Sequence, residues 1–322
     1  MGDKLTYRFP GKEIIYKLGH FVQLRTEQEP NGFVVSNLDL SICYQFEEAD
    51  EIQPGLHLLE NRPYCMSARE YYLQAHELLN GINLMQMGKA VFSRVKAVTF
   101  DPTLTEKLFE ELCETYPNAL VYLISGKEIG TWIGATPEIL LEVHKGYLFS
   151  VALAGTKKTE DQSEWTEKEK VEQEIVSDYI RDICIKKKLK NLEIEGPYDS
   201  QAGPVTHLRS DISAEMNGVN SWEMARALHP TPAVAGFPKN QSLSLISTVE
   251  PHRRELYTGI IGLISPDSAK LFVNLRCAQV QENTLFLYLG GGYTPQSIPE
   301  LEWVETENKS KTLLNCVQKI SK

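Results

Sequence analysis

Residues 119–155 read ALVYLISGKEIGTWIGATPEILLEVHKGYLFSVALAG, and this stretch decides the class of the fold. It contains four runs rich in β-branched, aromatic and other apolar residues: ALVYLIS, IGTWIGA, EILLEVH and YLFSVALAG. Glycine, proline and polar residues break the runs at short intervals, which is typical of turns between neighbouring strands. The stretch therefore predicts an antiparallel meander.

Helical patterns lie on both sides of this meander in the chain. AREYYLQAHELLN (68–80) and TEKLFEELCETY (105–116) precede it, and the strand KAVFSRVKAVTF (89–100) separates them. After the meander, apolar residues recur at a spacing of three to four from Glu164 to about Lys190, which predicts a long helix.

The remaining segments continue the mixture of helices and strands. SWEMARALH and the segment from Pro299 to Ile320 predict helices, whereas FVVSN, ICYQF, LYTGIIGLI, KLFVNLRCAQV and TLFLYLGGG predict strands. Because these elements interleave without regular βαβ units, the predicted fold class is α+β. No change in composition marks a boundary, so we predict a single domain over residues 1–322.

The composition is that of a globular protein with a sizeable core, since 42% of the 322 residues are hydrophobic and 24% are charged. The net charge of −10 argues against nucleic acid as a partner, and an acidic ligand would need local cations. Six scattered cysteines without a C-x-x-C pair predict reduced thiols. The sequence shows neither a signal-peptide pattern nor an apolar stretch of membrane-spanning length, and we predict a cytoplasmic protein without membrane contact.

Two pairs of glutamates stand three residues apart on predicted helices. Glu302 and Glu305 lie in the last helix, with Lys309 four residues further on, and Glu169 and Glu172 lie in the long central helix. Like charges at this spacing repel by roughly 0.2–0.5 kcal/mol, so each pair is either solvated or holds a cation. If the two helix faces meet, four carboxylates converge, and an oxygen-only cluster is the chemistry of Mg²⁺.

Two further ionisable residues are candidates for acid–base chemistry. Alternation in GKAVFSRV puts Lys89 on the same strand face as Val91, where it is a general base or simply an edge lysine. Glu138 follows Pro137 at the start of a strand and is either a general acid in a pocket or an exposed carboxylate.

Two features near the C-terminus suit an anion. Arg276 in KLFVNLRCAQV is expected to share a face with Phe272 and Ala278, which makes it half-buried and in need of an anionic partner. The run Gly290, Gly291 and Gly292 exposes backbone N–H groups that an anion can approach, although a sharp turn needs glycines as well.

The order of these segments resembles that of the chorismate-utilising enzymes. The motifs are KAVFSR, GATPEILL, ALAGTKK, EKEKVEQEIV, HPTPAVAGFPK, YTGIIG, VNLRCAQV and LGGGYTPQSIPELEWVETENK. This family comprises isochorismate, salicylate, anthranilate and aminodeoxychorismate synthases. The resemblance assigns residues 85–322 to a motif-bearing core and residues 1–84 to an abbreviated N-terminal part. It implies two packed antiparallel β-sheets flanked by helices, with the site between the sheets.

The resemblance also implies a role for each candidate residue. Mg²⁺ is expected on Glu172 and Glu305, with Glu169 and Glu302 beside them, and it would hold the ring carboxylate of chorismate. The enolpyruvyl carboxylate is expected to contact a set of groups that carry positive charge or hydrogen-bond donors, namely Arg276, Tyr257, Lys309 and the backbone of Gly290, Gly291 and Gly292. Lys89 falls at the position of the general base, and Glu138 at that of the acid that protonates the departing hydroxyl.

Three positions distinguish the branches of the family. Lys89 stands where anthranilate synthases usually carry Gln, and Ala154 in ALAGT stands where aminodeoxychorismate synthases carry a nucleophilic Lys. Water is therefore the expected nucleophile, isochorismate the expected product, and no glutaminase subunit is expected. Ala233 in HPTPAV, in the substrate pocket, lies where salicylate synthases tend to have Thr. A salicylate synthase, an ammonia-using synthase subunit and a non-catalytic chorismate-binding protein stay open, as does the use of the product for menaquinone or siderophore synthesis.

Overall fold

The computed structural model describes residues 2–25, 27–50, 53, 55–202 and 205–321. The strands are β1 Asp3–Arg8, β2 Ile15–Gln23, β3 Gly32–Ser36, β4 Cys43–Glu48, β5 Lys89–Thr99, β6 Leu120–Gly126, β7 Gly130–Thr136, β8 Ile139–His144, β9 Tyr147–Lys158, β10 Lys190–Ala202, β11 Val205–Glu215, β12 Gly236–Phe237, β13 Ile260–Ser265, β14 Ser268–Val273, β15 Cys277–Gln281 and β16 Thr284–Tyr293. The helices are α1 Ala68–Leu84, α2 Thr105–Thr115, α3 Glu167–Lys186, α4 Ser221–Leu228, α5 Lys239–Val249 and α6 Pro299–Ile320.

The described strands form one antiparallel hydrogen-bonded network whose two halves pack face to face. Their order is β10-β11-β9-β8-β14-β13-β3-β4-β2-β1-β6-β7-β15-β16-β5-β12. Phe33 of β3 and Phe272 of β14 come from one half, and Tyr122 of β6 and Tyr288 of β16 come from the other. All four rings belong to a single buried cluster, which is therefore the core between the two β layers.

Helices cover the outer face of each layer. Along β6, Val121 and Leu123 point away from the inner core and pack with apolar residues of α2 and α6. On the other layer, Val34 of β3 and Leu271 of β14 pack in one cluster with residues of α3 and α4. The resulting order of layers is helix, sheet, sheet, helix. The predicted α+β fold of two packed antiparallel sheets flanked by helices is confirmed, with the two sheets joined through β2 and β1.

Helix boundaries agree closely with the sequence patterns where local signals are strong. Helix α6 has the predicted bounds and begins at Pro299, which suits the first turn because its missing N–H needs no partner there. Helix α3 begins later than predicted, after a capping box in which Thr166 and Glu169 bond each other's backbone N–H groups.

Within the described residues, no helix combines the length and apolar character that crossing a membrane requires.

The prediction of one strand over KLFVNLRCAQV is wrong. Strand β14 ends at Val273, and β15 begins at Cys277 in the opposite half of the network. Arg276 between them has a φ of 49°, in the left-handed region, so alternation does not continue through it. Phe272 consequently faces the inner core and Ala278 the α2–α6 side, and the expected shared face of Arg276, Phe272 and Ala278 does not exist.

Candidate active site

Three glycines at the end of β16 bring separate elements together. In the register with β5, Gly290 pairs with Ser93 and Gly292 pairs with Val91. A Cβ on Gly292 would lie 2.6 Å from Cε of Lys89, and a Cβ on Gly290 would lie 2.7 Å from the hydroxyl oxygen of Tyr257. Side chains therefore approach this backbone as closely as only glycine permits.

The run of glycines separates the predicted residues into two faces. Because side chains alternate along a strand, Gly290 and Gly292 point to one side and Gly291 to the other. A Cβ on Gly291 would lie 3.2 Å from Oε2 of Glu302, whereas one on Gly292 would lie 3.9 Å from Oε1 of Glu172. Glu172 thus approaches the glycine run from the face that it shares with Lys89, and Glu302 approaches from the α6 side.

Lys89 opens β5 and is only 5% exposed. Its Nζ lies 3.5 Å from Oε2 of Glu172, whose side chain projects from α3 and is 14% exposed. The main chain of Lys89 pairs with Phe237 of the two-residue strand β12. Lys89 thus contacts the carboxylate of Glu172 and lies directly beside the glycine run.

Glu138 lies between β7 and β8, and its carbonyl oxygen accepts a hydrogen bond of 2.9 Å from the backbone N–H of Val273. The residue is half-buried. Burial raises the pKa of its carboxyl group, and the positive charges of Lys89, Lys309 and Arg276 lower it in part. The carboxyl group therefore keeps its proton to a higher pH than an exposed glutamate, as proton donation requires.

Arg276 and Lys309 form the cationic side of the site. One Nη of Arg276 donates to the carbonyl oxygen of Lys309 at 3.3 Å and to Oγ1 of Thr312 at 3.4 Å. The ammonium group of Lys309 donates to the carbonyl oxygen of Gly290 at 2.8 Å and pairs with Glu305 at 2.6 Å. Burial lowers the pKa of Arg276, although the guanidinium stays charged at any ordinary pH. Lys309 thus contacts the glycine run directly, and Arg276 bonds the backbone of Lys309, in a protein with a net charge of −10.

The four predicted metal ligands each contact a neighbouring group. Glu169 accepts from the backbone N–H of Thr166 at 2.9 Å as part of the α3 cap, and buried Glu302 accepts from Ser297 at 2.8 Å. Glu172 faces Lys89 and Glu305 faces Lys309. In the described part of the chain, no three His, Cys, Asp or Glu side chains are gathered as a metal-binding group. All four donors are carboxylate oxygens, which is the ligand type that Mg²⁺ prefers.

Ala233 lies in a turn between α4 and β12, and its half-buried side chain packs against the core cluster of α3 and α4. Tyr257 is buried, and burial raises the pKa of its hydroxyl group. Gln173, next to Glu172 in α3, is buried and donates to Oγ of Ser210 at 2.7 Å. Sequence patterns did not single out the pair of Glu250 and Arg254, because a spacing of four residues does not show that both side chains are buried.

Two cavities lie away from the predicted site residues. One of about 690 Å³ is walled by Trp132, His252 and Glu250 among others, and contains none of the predicted site residues in its lining. Another of about 440 Å³ follows α3, between Tyr179 and Phe237. The candidate site is the polar cluster around the glycine run, which consists of Lys89, Glu138, Glu172, Tyr257, Arg276, Glu305 and Lys309. Neither cavity coincides with it.

The family model described as "Chorismate binding enzyme" matches residues 34–318. The chain belongs to this family. The matched part includes the glycine run and all the residues of the polar cluster around it.

Curated relatives from two bacteria illustrate the similarity. Isochorismate synthase EntC from Escherichia coli K12 is 30% identical over 246 residues, which cover 71% of this chain and 62% of EntC. Isochorismate synthase DhbC from Bacillus subtilis 168 is 29% identical over 294 residues, which cover 85% of this chain and 73% of DhbC. The chain thus spans less than two thirds of EntC.

Solved structures show the same fold. DhbC from Bacillus anthracis superposes with a TM-score of 0.81 at 25% identity, covering 98% of this chain and 96% of that one. The menaquinone-specific isochorismate synthase MenF from Escherichia coli also gives a TM-score of 0.81, at 20% identity, covering 98% and 88% of the two chains. The latter likeness concerns the fold alone.

Proposed function

We propose that the protein is an isochorismate synthase, which adds water to C2 of chorismate while the C4 hydroxyl leaves. The observation that carries the proposal is that a buried lysine, Lys89, lies close enough to Glu138 to influence the raised pKa of its carboxyl group. The addition of water requires a base, and the departure of the hydroxyl requires an acid, so the two groups need environments that favour opposite protonation states. Relatives named isochorismate synthases support the same reaction.

In the proposed mechanism, Lys89 accepts a proton from the attacking water, and the water oxygen forms the bond to C2. The double bond shifts, the bond between C4 and its hydroxyl oxygen breaks, and Glu138 donates a proton to the departing oxygen. One water is consumed and one is released, so chorismate and isochorismate have the same composition. The acid and the base exchange roles in the reverse direction, which makes the reaction reversible.

Chorismate carries two carboxylates, and the proposed site offers a different group to each. Arg276 and Lys309 supply charge for the enolpyruvyl carboxylate, while Tyr257 and the N–H groups of Gly290–Gly292 supply hydrogen bonds. Such local cations are required because the protein has a net charge of −10, which repels an anionic substrate. These cations and donors attract the doubly charged chorismate to the site, which favours binding. The orientation of chorismate between Lys89 and Glu138 then raises turnover.

Mg²⁺ is the proposed cofactor, and Glu172 and Glu305 are its proposed ligands, with Glu169 and Glu302 beside them. When bound, the ion supplies positive charge for the ring carboxylate. The donors are all oxygens, which is the preference of this ion.

Water as the nucleophile leaves no role for an ammonia-producing partner, and we propose that the enzyme works without a glutaminase subunit.

All six cysteines are free thiols in the structure, as the proposed cytoplasmic location favours. The single catalytic domain over residues 1–322, with its abbreviated N-terminal part, belongs to the same proposal.

Product identification tests the proposal. Purified protein is incubated with chorismate and Mg²⁺, and the products are separated by chromatography, with and without ammonium salt. We expect isochorismate in both mixtures, and neither pyruvate nor an amino-substituted product. Salicylate with an equal amount of pyruvate would identify a salicylate synthase, and ammonia-dependent anthranilate would identify an anthranilate synthase. Unchanged chorismate that nevertheless binds would identify a non-catalytic binding protein.

A further inference from the structure

A buried ion pair lies next to the site without belonging to its predicted residues. Glu250 follows directly after α5, and Arg254 lies four residues further along the chain. Their side chains are 4% and 6% exposed, and the guanidinium donates to both carboxylate oxygens, at 2.6 and 2.8 Å. The pair is therefore bidentate, a geometry that fixes the plane of the guanidinium.

The same guanidinium holds the backbone of two segments that carry predicted site residues. One Nη donates to the carbonyl oxygen of Val234 at 2.8 Å, next to Ala233. The other donates to the carbonyl oxygen of Val91 at 2.7 Å, two residues after Lys89. Glu250 in turn accepts from the backbone N–H of Ser93 at 2.7 Å. One side-chain pair thus joins β5 to the turn before β12.

The burial of this ion pair is not by itself evidence of a stabilising role. The desolvation of two buried charges offsets much of their attraction, so a buried pair is weak evidence for a stabilising role. The rigid fork of arginine does, however, fix the separation of the groups that it binds. Here those groups are backbone carbonyls, and the adjacent backbone bond from Val91 N–H to the Ala235 carbonyl, at 3.0 Å, runs between the same two segments.

We propose that Arg254 is a positioning residue, which sets the distance between Lys89 and the turn containing Ala233 through their backbones. Arg254 touches neither substrate nor the reacting atoms in this proposal. Its effect on turnover rests on the proposed isochorismate synthase function, whereas its effect on the two backbone segments does not.

The test compares Arg254→Lys with Arg8→Lys. Lysine keeps the charge opposite Glu250, but a single ammonium group cannot reproduce the fork to both carbonyls. Arg8 is the matched control, because it is also buried and donates to backbone carbonyls, those of Tyr116, Pro117 and Ala119, far along the chain from the turn. We expect kcat to fall by about 10-fold or more in Arg254→Lys, with KM changed less than about 3-fold, since small misplacements of reacting groups cost up to 10²-fold.

Amide hydrogen exchange on the substrate-free protein gives a second readout, which does not depend on any activity. Val91 N–H should exchange faster in Arg254→Lys and at the wild-type rate in Arg8→Lys. Wild-type exchange and wild-type kcat in Arg254→Lys would overturn the proposal, as would an equal loss of kcat in both variants. A wild-type protein without isochorismate synthase activity would instead overturn the proposed function, and the exchange comparison would still decide on positioning.

If Arg254→Lys does not fold, Glu250→Gln answers the same question. Glutamine retains one oxygen, which can accept from Ser93 and from one Nη of Arg254, whereas its amide NH2 group replaces the oxygen that accepts from Nε. We expect the bonds from Arg254 to the two carbonyls to persist. Retention of kcat within about 3-fold, together with a protected Val91 amide, supports positioning through the carbonyls. Loss of kcat by more than 10-fold with Val91 still protected would overturn it.

Discussion

Nζ of Lys89 lies 3.5 Å from Oε2 of Glu172, so the candidate base and a candidate metal ligand contact each other. The two residues belong to β5 and α3 and are separated by 83 positions in the chain. Removing Glu172 would take away a carboxylate partner of the buried Lys89 side chain, and removing one partner of a buried polar contact is destabilising. A substitution at Glu172 therefore tests metal binding and the environment of the base together, and it needs a readout for each.

Glu172→Ala should abolish both activity and the stabilisation of the protein by Mg²⁺. A ligand present at 100 times its dissociation constant stabilises a folded protein by about 2.7 kcal/mol, and this gain should disappear with the carboxylate. Thermal unfolding at several Mg²⁺ concentrations, without chorismate, measures it. Glu174→Ala is the control, because Glu174 is an exposed residue of the same helix. Full activity of the wild-type enzyme in excess chelator would contradict the metal assignment.

Lys89→Ala and Glu138→Gln should each lower kcat by about 10²-fold or more, because a positioned acid or base acts on the transition state. KM for chorismate should change much less, since neither group is proposed to hold a carboxylate. Steady-state kinetics on both variants checks this. Glu142→Gln is a suitable control, because Glu142 lies on β8 and pairs with Lys270. Near-normal turnover in either variant would remove that residue from the mechanism.

The pH profile should carry the signature of Glu138. Burial raises the pKa of its carboxyl group above the usual value of 4.5, and only the protonated form can donate to the departing hydroxyl. We therefore expect a component of kcat/KM that falls as the pH rises through this raised pKa. The component should be missing from the residual activity of Glu138→Gln. A profile of the same shape in the variant would assign the titration to another group.

Gly292→Ala should impair turnover more than stability. A Cβ at this position would lie 2.6 Å from Cε and 3.1 Å from Nζ of Lys89, and the flexible end of the lysine can move away. We expect kcat to fall by roughly 10-fold or more, because displaced catalytic groups lose near-attack geometry. Gly146→Ala is the contrasting variant, since Gly146 has a φ of 80° and no atom within 4 Å of its Cβ position. That variant should lose stability by about 1 kcal/mol and keep its turnover.

The fold was predictable where local patterns and tertiary structure agree. Helix α6 and the strands of residues 119–155 have strong periodicity, and their apolar faces are the ones that the core uses. Strand β1, DKLTYR, gives no such signal, yet its six residues are all buried. Asp3 accepts a hydrogen bond from the backbone N–H of Phe21, and one Nη of Arg8 donates to the carbonyl oxygen of Tyr116. No local pattern encodes these contacts between distant positions.

The candidate site residues were inferred from family motifs and not from spacing. Nothing in the separation of Lys89 from Gly292 indicates that they meet, since antiparallel pairing of β5 with β16 brings them together. The left-handed backbone of Arg276 was equally hidden, because a continuous apolar pattern runs through it. Positions of this kind depend on how whole strands pair, which is a property of the completed sheet.

The last prediction concerns the step at which the reaction ends. Loss of pyruvate from isochorismate is an intramolecular rearrangement that depends on the conformation of the enolpyruvyl side chain, whereas water addition needs the base and the acid. Ala233 is small and cannot form a side-chain hydrogen bond, so it offers little to press that side chain into the eliminating geometry. We therefore expect isochorismate to accumulate, and chorismate to reform when isochorismate is supplied.

Ala233→Thr adds a hydroxyl and a methyl group at this position and should raise the share of pyruvate among the products. Its half-buried site packs against the core, so a moderate loss of stability is expected as well, of about 1–3 kcal/mol. Ala233→Val is the matched control, because valine has the shape of threonine without its hydrogen-bonding group. A rise in the pyruvate-to-isochorismate ratio in Ala233→Thr alone assigns the effect to the hydroxyl, and an equal rise in both variants assigns it to pocket volume. Pyruvate release by the wild-type enzyme at the rate of chorismate loss would contradict the prediction, and the salicylate synthase assignment would then replace it.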